Sequence, residues 1–171
     1  MKQAVHLRPQ DVVILLKLVA LGKEDWLAKD LARELHLSPA EVSNSLGRSA
    51  FAGLLDQSKR HVQRAALLDL LLHGLPYVYP VRPGGRVRGV PTAHSAAPLK
   101  DLITAGEAYV WPHAHGDTQG LAIAPLYPSA TDAALEDPGL HELLALVDAL
   151  RVGRTRERAE AGRLLTKRLK G

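Results

Sequence analysis

The stretch Leu27 to Arg48, "LAKDLARELHLSPAEVSNSLGR", holds two helical patterns with almost no chain between them, and it limits what this protein can fold into more than any other segment. The first pattern predicts a helix from about Trp26 to His36. Leu27, Leu31 and Leu35 form its stripe, with Ala28 and Ala32 beside them at helical spacing. The second begins at Ser38. Ser38-Pro39-Ala40-Glu41 reads as a capping box with proline at the first helical position, so orphan backbone donors are satisfied or absent. Val42, Leu46 and Ala50 make its inner face, and it is expected to end near Gly53. Two helices so closely joined must cross at short range. Ala32 leaves room for that crossing, and Leu37 in the turn plugs the core between them.

Such a pair is a helix-turn-helix. Its turn usually carries glycine, and His36 stands there instead. The outward side of the second helix presents Pro39, Ala40, Ser43, Asn44, Gly47 and Arg48, a surface that fits a DNA major groove. Asn44 is placed to pair with adenine, and Arg48 with guanine or a phosphate. Ser43 and the backbone amides at the Ser38 end are placed to hold phosphate. Residues 54–62 read as a very short hairpin whose tip, Lys59, Arg60 and His61, sits where a wing touches the DNA backbone. The competing reading is an ordinary helical bundle with a polar outer face. Gly47 weighs on that side, because glycine inside a helix costs about 1 kcal/mol relative to alanine.

Around this pair, a helix is predicted from Pro9 to Gly22 and another from Gln63 to His73, closed by Gly74. The pattern changes at Leu75. Residues 75–128 hold most of the prolines, and short strands are expected at Tyr77-Val78-Tyr79, Arg86-Val87-Arg88, Tyr109-Val110-Trp111 and Leu121-Ala122-Ile123. Pro83-Gly84-Gly85 is expected to turn between the first two. Helix returns after Ser129, continues from Asp137-Pro138 through Val152, and resumes from about Thr155 to Leu169 after Gly153. The expected fold class is α+β. A winged helix-turn-helix occupies residues 1–74, and a mixed region of short strands and C-terminal helices occupies residues 75–171. Leu143, Leu144, Val147, Leu150, Leu164, Leu165 and Leu169 need a covering surface, and a homodimer would supply one while spacing two recognition helices about one DNA turn apart.

Charge is uneven. Residues 1–74 carry 10 Lys and Arg against 8 Asp and Glu, a balance of +2; residues 75–150 carry 4 against 8, or −4; residues 151–171 carry 8 against 2, or +6. The asymmetry points to a polyanionic partner. The basic tail has three readings: further phosphate contacts, docking on the acidic middle of the same or another chain, or a solvated helix face. Cysteine is absent, which removes disulfides and thiolate metal sites. No secretory core follows Met1, and the longest apolar run, Val12 to Leu21, is broken by Lys17, so a cytoplasmic protein away from membranes is expected.

Chemistry is harder to find. His113, His115 and Asp117, with His94, are the best metal-like cluster, yet Pro112 to Gly120 reads as a polar loop tip. His94-Ser95 forms no nucleophile elbow, and Pro83-Gly84-Gly85-Arg86 lacks the length and ending of a phosphate loop. Neither catalysis nor a cofactor nor a metal is expected.

Trp26 to Leu55, "WLAKDLARELHLSPAEVSNSLGRSAFAGLL", resembles the DNA-binding core of winged helix-turn-helix regulators of the MarR-like type, with "FAGLL" matching their exit into the wing. The resemblance covers about residues 8 to 62. It implies sequence-specific duplex binding as a homodimer, usually in repression. "RAALLDLLLHGLPYVYPVRPGG", "GVPTAHSAAPL" and "ELLALVDALRVGRTRER" look like bacterial regulators found beside nucleotidyltransferase-like toxin genes. That implies an antitoxin-type alternative, in which residues 75–171 bind a partner protein.

Overall fold

A computed structural model describes residues 4–23 and 25–171. Its elements are α1 (Pro9–Leu21), α2 (Ala28–Leu35), α3 (Pro39–Phe51), α4 (Arg64–His73), α5 (Leu75–Val78), β1 (Arg86–Pro91), β2 (Tyr109–Pro112), β3 (Thr118–Ala122), α6 (Ala130–Glu136), α7 (Pro138–Val152) and α8 (Thr155–Lys170). The chain is therefore α+β.

Two helices form the middle of the molecule. Val12 through Leu16 on α1 and Leu143 through Leu150 on α7 are buried on every side of the helix, the mark of an element packed all round. α1 and α7 pack against each other, α6 and α8 pack on α7, and α2 and α3 pack on one another. Polar groups drawn into this core are paired. Lys17 Nζ lies 2.9 Å from Glu34 on α2 and 2.7 Å from Asp137, the cap of α7. Asp148 accepts from the Thr92 hydroxyl and the Trp111 indole, both at 2.7 Å, and from Arg151 at 2.9 Å. Burial pushes the Asp148 carboxyl up, against the pull of Arg151, Thr92 and Trp111.

Hydrophobic contact is continuous from Val12 to Leu169, so it passes through the expected division at residue 74. The leucines expected to need a second chain are covered within this one. Leu143, Leu144, Val147, Leu150, Leu165 and Leu169 are each no more than 5% exposed, and Leu164 is packed against the same core. Their burial against α1, α4 and α8 removes that argument for a dimer.

Between α2 and α3 the chain turns through His36, Leu37 and Ser38. His36 adopts the left-handed conformation expected of the glycine it replaces, with φ 55° and ψ 42°. The Ser38 hydroxyl accepts from the Glu41 amide at 3.0 Å, and Pro39 opens α3. Ala32 is 3% exposed and Val42 fully buried, as the close crossing requires. The hairpin after α3 is minimal: one bridge joins Leu55 and Val62.

The strand expected at Tyr77-Val78-Tyr79 does not form. Gly74 caps a further helical turn with Pro76 in its first positions, and the Val78 and Tyr79 amides bond back to Gly74 and Leu75. Pro83-Gly84-Gly85 consequently joins no strand pair, and it leads into β1, with the Gly84 amide donating to Ala122. The other three expected strands are present, with Ile123 just beyond β3. β1 runs antiparallel to both partners, through Arg86 to Gly89 with β3 and Gly89 to Pro91 with β2. Tyr109 and Val110 pair in parallel with Leu121 and Ala122, so the ribbon closes on itself. Closure brings backbones together where side chains cannot follow: a Cβ at Gly89 would lie 2.0 Å from the Trp111 carbonyl oxygen. No helix among the described residues is long and apolar enough to cross a membrane.

Candidate nucleic-acid interface

α3 is held by its inner side and open on its outer one. Val42, Ser45, Leu46, Ser49 and Ala50 are buried, whereas Ser38, Pro39, Ala40, Ser43 and Asn44 are exposed. Gly47 is half-buried, and a Cβ there would meet nothing within 4 Å. Phe51 continues this outward face two turns beyond Asn44 and is 74% exposed. The first turn contributes backbone polarity: Pro39 has no N–H and Ser38 takes the one at Glu41, leaving the Ala40 amide at the helix's positive end.

Arg48 is not on this face. Its side chain is 12% exposed and turns toward α1, where Nε donates to both oxygens of Asp11, at 3.1 and 2.9 Å, and Nη2 donates to Asp11 Oδ1 at 2.7 Å. Nη2 also lies 2.7 Å from Glu41, whose carboxylate accepts from Gln10 at 2.9 Å. Asp11 itself is wholly buried and accepts the Arg8 amide at 2.8 Å. Donating hydrogen bonds to the Asp11 carboxylate raises the Arg48 pKa further above its ordinary value, against the cost of burial. Burial works against ionisation of Glu41, but the bonds from Arg48 and Gln10 outweigh it and hold that carboxyl below the usual range. The expectation of an exposed Arg48 is therefore corrected. The residue fastens α3 to α1, because Asp11, in the first turn of α1, offers a buried carboxylate directly behind it.

The hairpin tip is organised by Asp56. It accepts the backbone amides of Arg60 and His61 and the Ser58 hydroxyl, and it sits 2.7 Å from the His61 ring. These bonds hold its carboxyl well below the ordinary range. Lys59 stands exposed at the tip with φ 61°. Arg60 leans back over the Trp26 ring, 4.6 Å from its centroid, and donates to the Trp26 carbonyl at 2.6 Å. All three tip residues stay on the surface, and Arg60 and His61 line a notch facing the end of α1 and Trp26.

The residues tested for chemistry are dispersed. His94 Nε2 lies 2.8 Å from the Glu107 carbonyl, and its ring meets Tyr109 edge-on. Ser95 accepts from the Tyr109 amide, while Asp117 bonds its neighbour Thr118. His113 pairs with Asp132 at 2.8 Å, its ring 5.9 Å from that of His115, in the loop after β2. Among the described residues, no three His, Asp or Glu side chains gather as metal ligands do.

Sequence reasoning missed Phe51, Asp11, Lys23 and Arg64. Phe51 was legible as the next outward position on α3 after Asn44 and Gly47. The Asp11–Arg48 pair carries no local signal, because it joins residues that only the α1–α3 crossing brings together. Lys23 and Arg64 lie exposed beside the hairpin and line a notch with Arg60. No family model, characterised protein or solved structure was found to match the chain.

Proposed function

We propose that the chain is a sequence-specific duplex-DNA-binding regulator of transcription, acting as a repressor by occluding a promoter through a winged helix-turn-helix formed by α1 to α4 and the hairpin. One observation carries the reading. α3 exposes a contiguous face of small uncharged side chains, Ser38, Pro39, Ala40, Ser43 and Asn44, at a capped N-terminus, on a helix that Arg48 and its apolar side fasten to the rest of the fold. A face without bulk at its N-terminal end can enter a major groove, and one without charge leaves discrimination to hydrogen bonds. Asn44 takes the adenine-reading role. Ser38, Ser43 and the Ala40 amide contact phosphate or base edges, and Phe51 offers apolar contact to a thymine methyl group. Pro39, Ala40 and Gly47 admit the backbone closely. Lys59, Arg60 and His61 face phosphate. Arg48 acts only by holding the helix. Two copies would set two α3 helices on half-sites about 34 Å apart.

The test is fluorescence anisotropy with the chain's own upstream duplex and a scrambled duplex of equal length, over a salt series. Retained preference for the native duplex at rising salt supports the reading, and equal affinity for both contradicts it.

A second reading, an antitoxin-like module gripping another protein through residues 75–171, is favoured by α5. Tyr77 is 83% exposed there and Val78 58% exposed. Co-purification of a neighbouring gene product, lost on Tyr77→Ser and kept on Asn44→Ala, would favour it.

A further inference from the structure

The basic tail and the hairpin lie far apart in sequence and side by side in the fold. α4 and α8 pack together so that the first turn of α4 meets the last turn of α8, where Arg64 Nη1 comes 3.4 Å from the Arg168 carbonyl. At their other ends, Leu72 and His73 share a groove with Arg158 and Ala159. On the far side of Arg64, a notch of about 190 Å³ opens between the end of α1 and the hairpin, with Lys23, Arg60 and His61 on its walls. Lys23, Lys59, Arg60, Arg64, Lys167, Arg168 and Lys170 are all exposed. Nearby opposing charge is partly committed, Asp56 being held by the hairpin and Glu142 pairing with Arg168, while Glu24 and Asp25 follow Lys23 in the sequence. Among the described residues, no carboxylate lies within ion-pairing distance of Lys23, Lys59, Arg64, Lys167 or Lys170.

Lysines in a helix's last turn are favoured by its dipole, which accounts for basic residues at the end of α8. It does not account for Arg64, from the start of another helix, standing against that last turn while Lys23 and Arg60 line the notch on its other side. We propose that the last turn of α8, through Lys167 and Lys170, continues the hairpin's cationic surface into a second phosphate-contacting track, which runs through Arg64 and Lys23. It grips the backbone of duplex DNA without regard to sequence. The proposal rests on the DNA-binding reading and adds the C-terminal helix to the surface that binds. The flexible ammonium groups suit this role, because phosphate contacts position a protein on a duplex while base contacts select the sequence.

The experiment compares the wild-type chain, Lys167→Gln/Lys170→Gln and Asn44→Ala on upstream and scrambled duplexes across a salt series, with melting curves confirming that each variant folds. Each phosphate contact contributes about 0.9 to the slope of log K against log salt. The double variant is expected to lower that slope by about 2 on both duplexes, while keeping the preference for the upstream one. Asn44→Ala is expected to keep the wild-type slope and to reduce, without abolishing, the preference for the upstream duplex. An unchanged slope in the double variant, with preference intact, overturns the second track and leaves the reading of α3 standing. A lowered slope without any upstream preference in the wild-type chain upholds the track and overturns sequence-specific recognition. Binding of single-stranded RNA, or of no nucleic acid, in place of duplex overturns both.

Discussion

Arg48→Ala is the substitution whose outcome the structure determines most sharply. The change leaves Asp11 wholly buried and without its bidentate partner, and it strips Glu41 of its shorter contact. Removing one member of a buried ion pair costs about 3–5 kcal/mol, chiefly because the remaining charge is uncompensated. Asp11 keeps the Arg8 amide and the positive end of α1, which places the loss near the lower end, about 3 kcal/mol. For a chain of this size each kcal/mol lowers Tm by about 2–4 °C, so a fall of about 6–12 °C is expected. Differential scanning calorimetry at neutral pH measures it directly. Arg48→Met, which keeps most of the aliphatic stem, is expected to lose nearly as much. Asp11→Leu/Arg48→Met, which removes the charge on both sides, is expected to recover most of the loss. A fall in Tm indistinguishable from that of a surface substitution would mean that the Asp11–Arg48 pair does not hold α3 and would return Arg48 to the exposed face of the helix.

Asn44→Ala is expected to weaken specific duplex binding by about 1–3 kcal/mol and to shift stability by no more than about 0.5 kcal/mol, read by anisotropy and thermal melting respectively. Gly89→Ala forces a Cβ onto the Trp111 carbonyl and is expected to break the closed ribbon, with collapse of Trp111 near-ultraviolet dichroism as the readout. Burial disfavours the Asp137 charge, but its bonds from Lys17 and the Leu140 amide hold its pKa below the ordinary 3.8, and Glu41 likewise lies below 4.5. Both carboxylates therefore stabilise the fold fully above those ordinary values, and that part is lost as pH falls through the lowered folded ones. Lys17→Met should flatten the acid limb of a pH–Tm profile. Glu136, 3.2 Å from His36 in the turn before α3, places negative charge near the helix end assigned to DNA. Glu136→Gln is expected to tighten duplex binding at low salt and to have little effect at high salt.

Local signals carried the N-terminal half. The cap at Ser38 and the small Ala32 follow from local chemistry and appear where the pattern places them, whereas the left-handed conformation of His36, in a position that usually carries glycine, was not signalled by its residue type. Tyr77-Val78-Tyr79 misled because β-branched and aromatic residues favour strands only where a partner strand exists. Here Gly74 and Pro76 allowed another helical turn instead. The closed three-stranded ribbon was illegible, since β1 pairs with strands that come only after residues 92–108, and β2 and β3, separated by residues 113–117 alone, pair in parallel and not as a hairpin. Arg48 misled for a related reason. A charged residue on a polar helix face reads as exposed until a buried carboxylate on another helix is known to lie behind it. Only tertiary packing reveals Asp11 in that position, and the same is true of Arg168 beside Arg64.

On the proposed reading, the outward face of α3 reads base sequence. Selection of bound duplexes from a randomised pool, run in parallel with the wild-type chain and Asn44→Ala, tests it most directly. The wild-type chain is expected to enrich a defined motif, and Asn44→Ala to enrich the same motif with one adenine position made degenerate. Enrichment of no motif by the wild-type chain, or of an identical motif by both proteins, would contradict that reading.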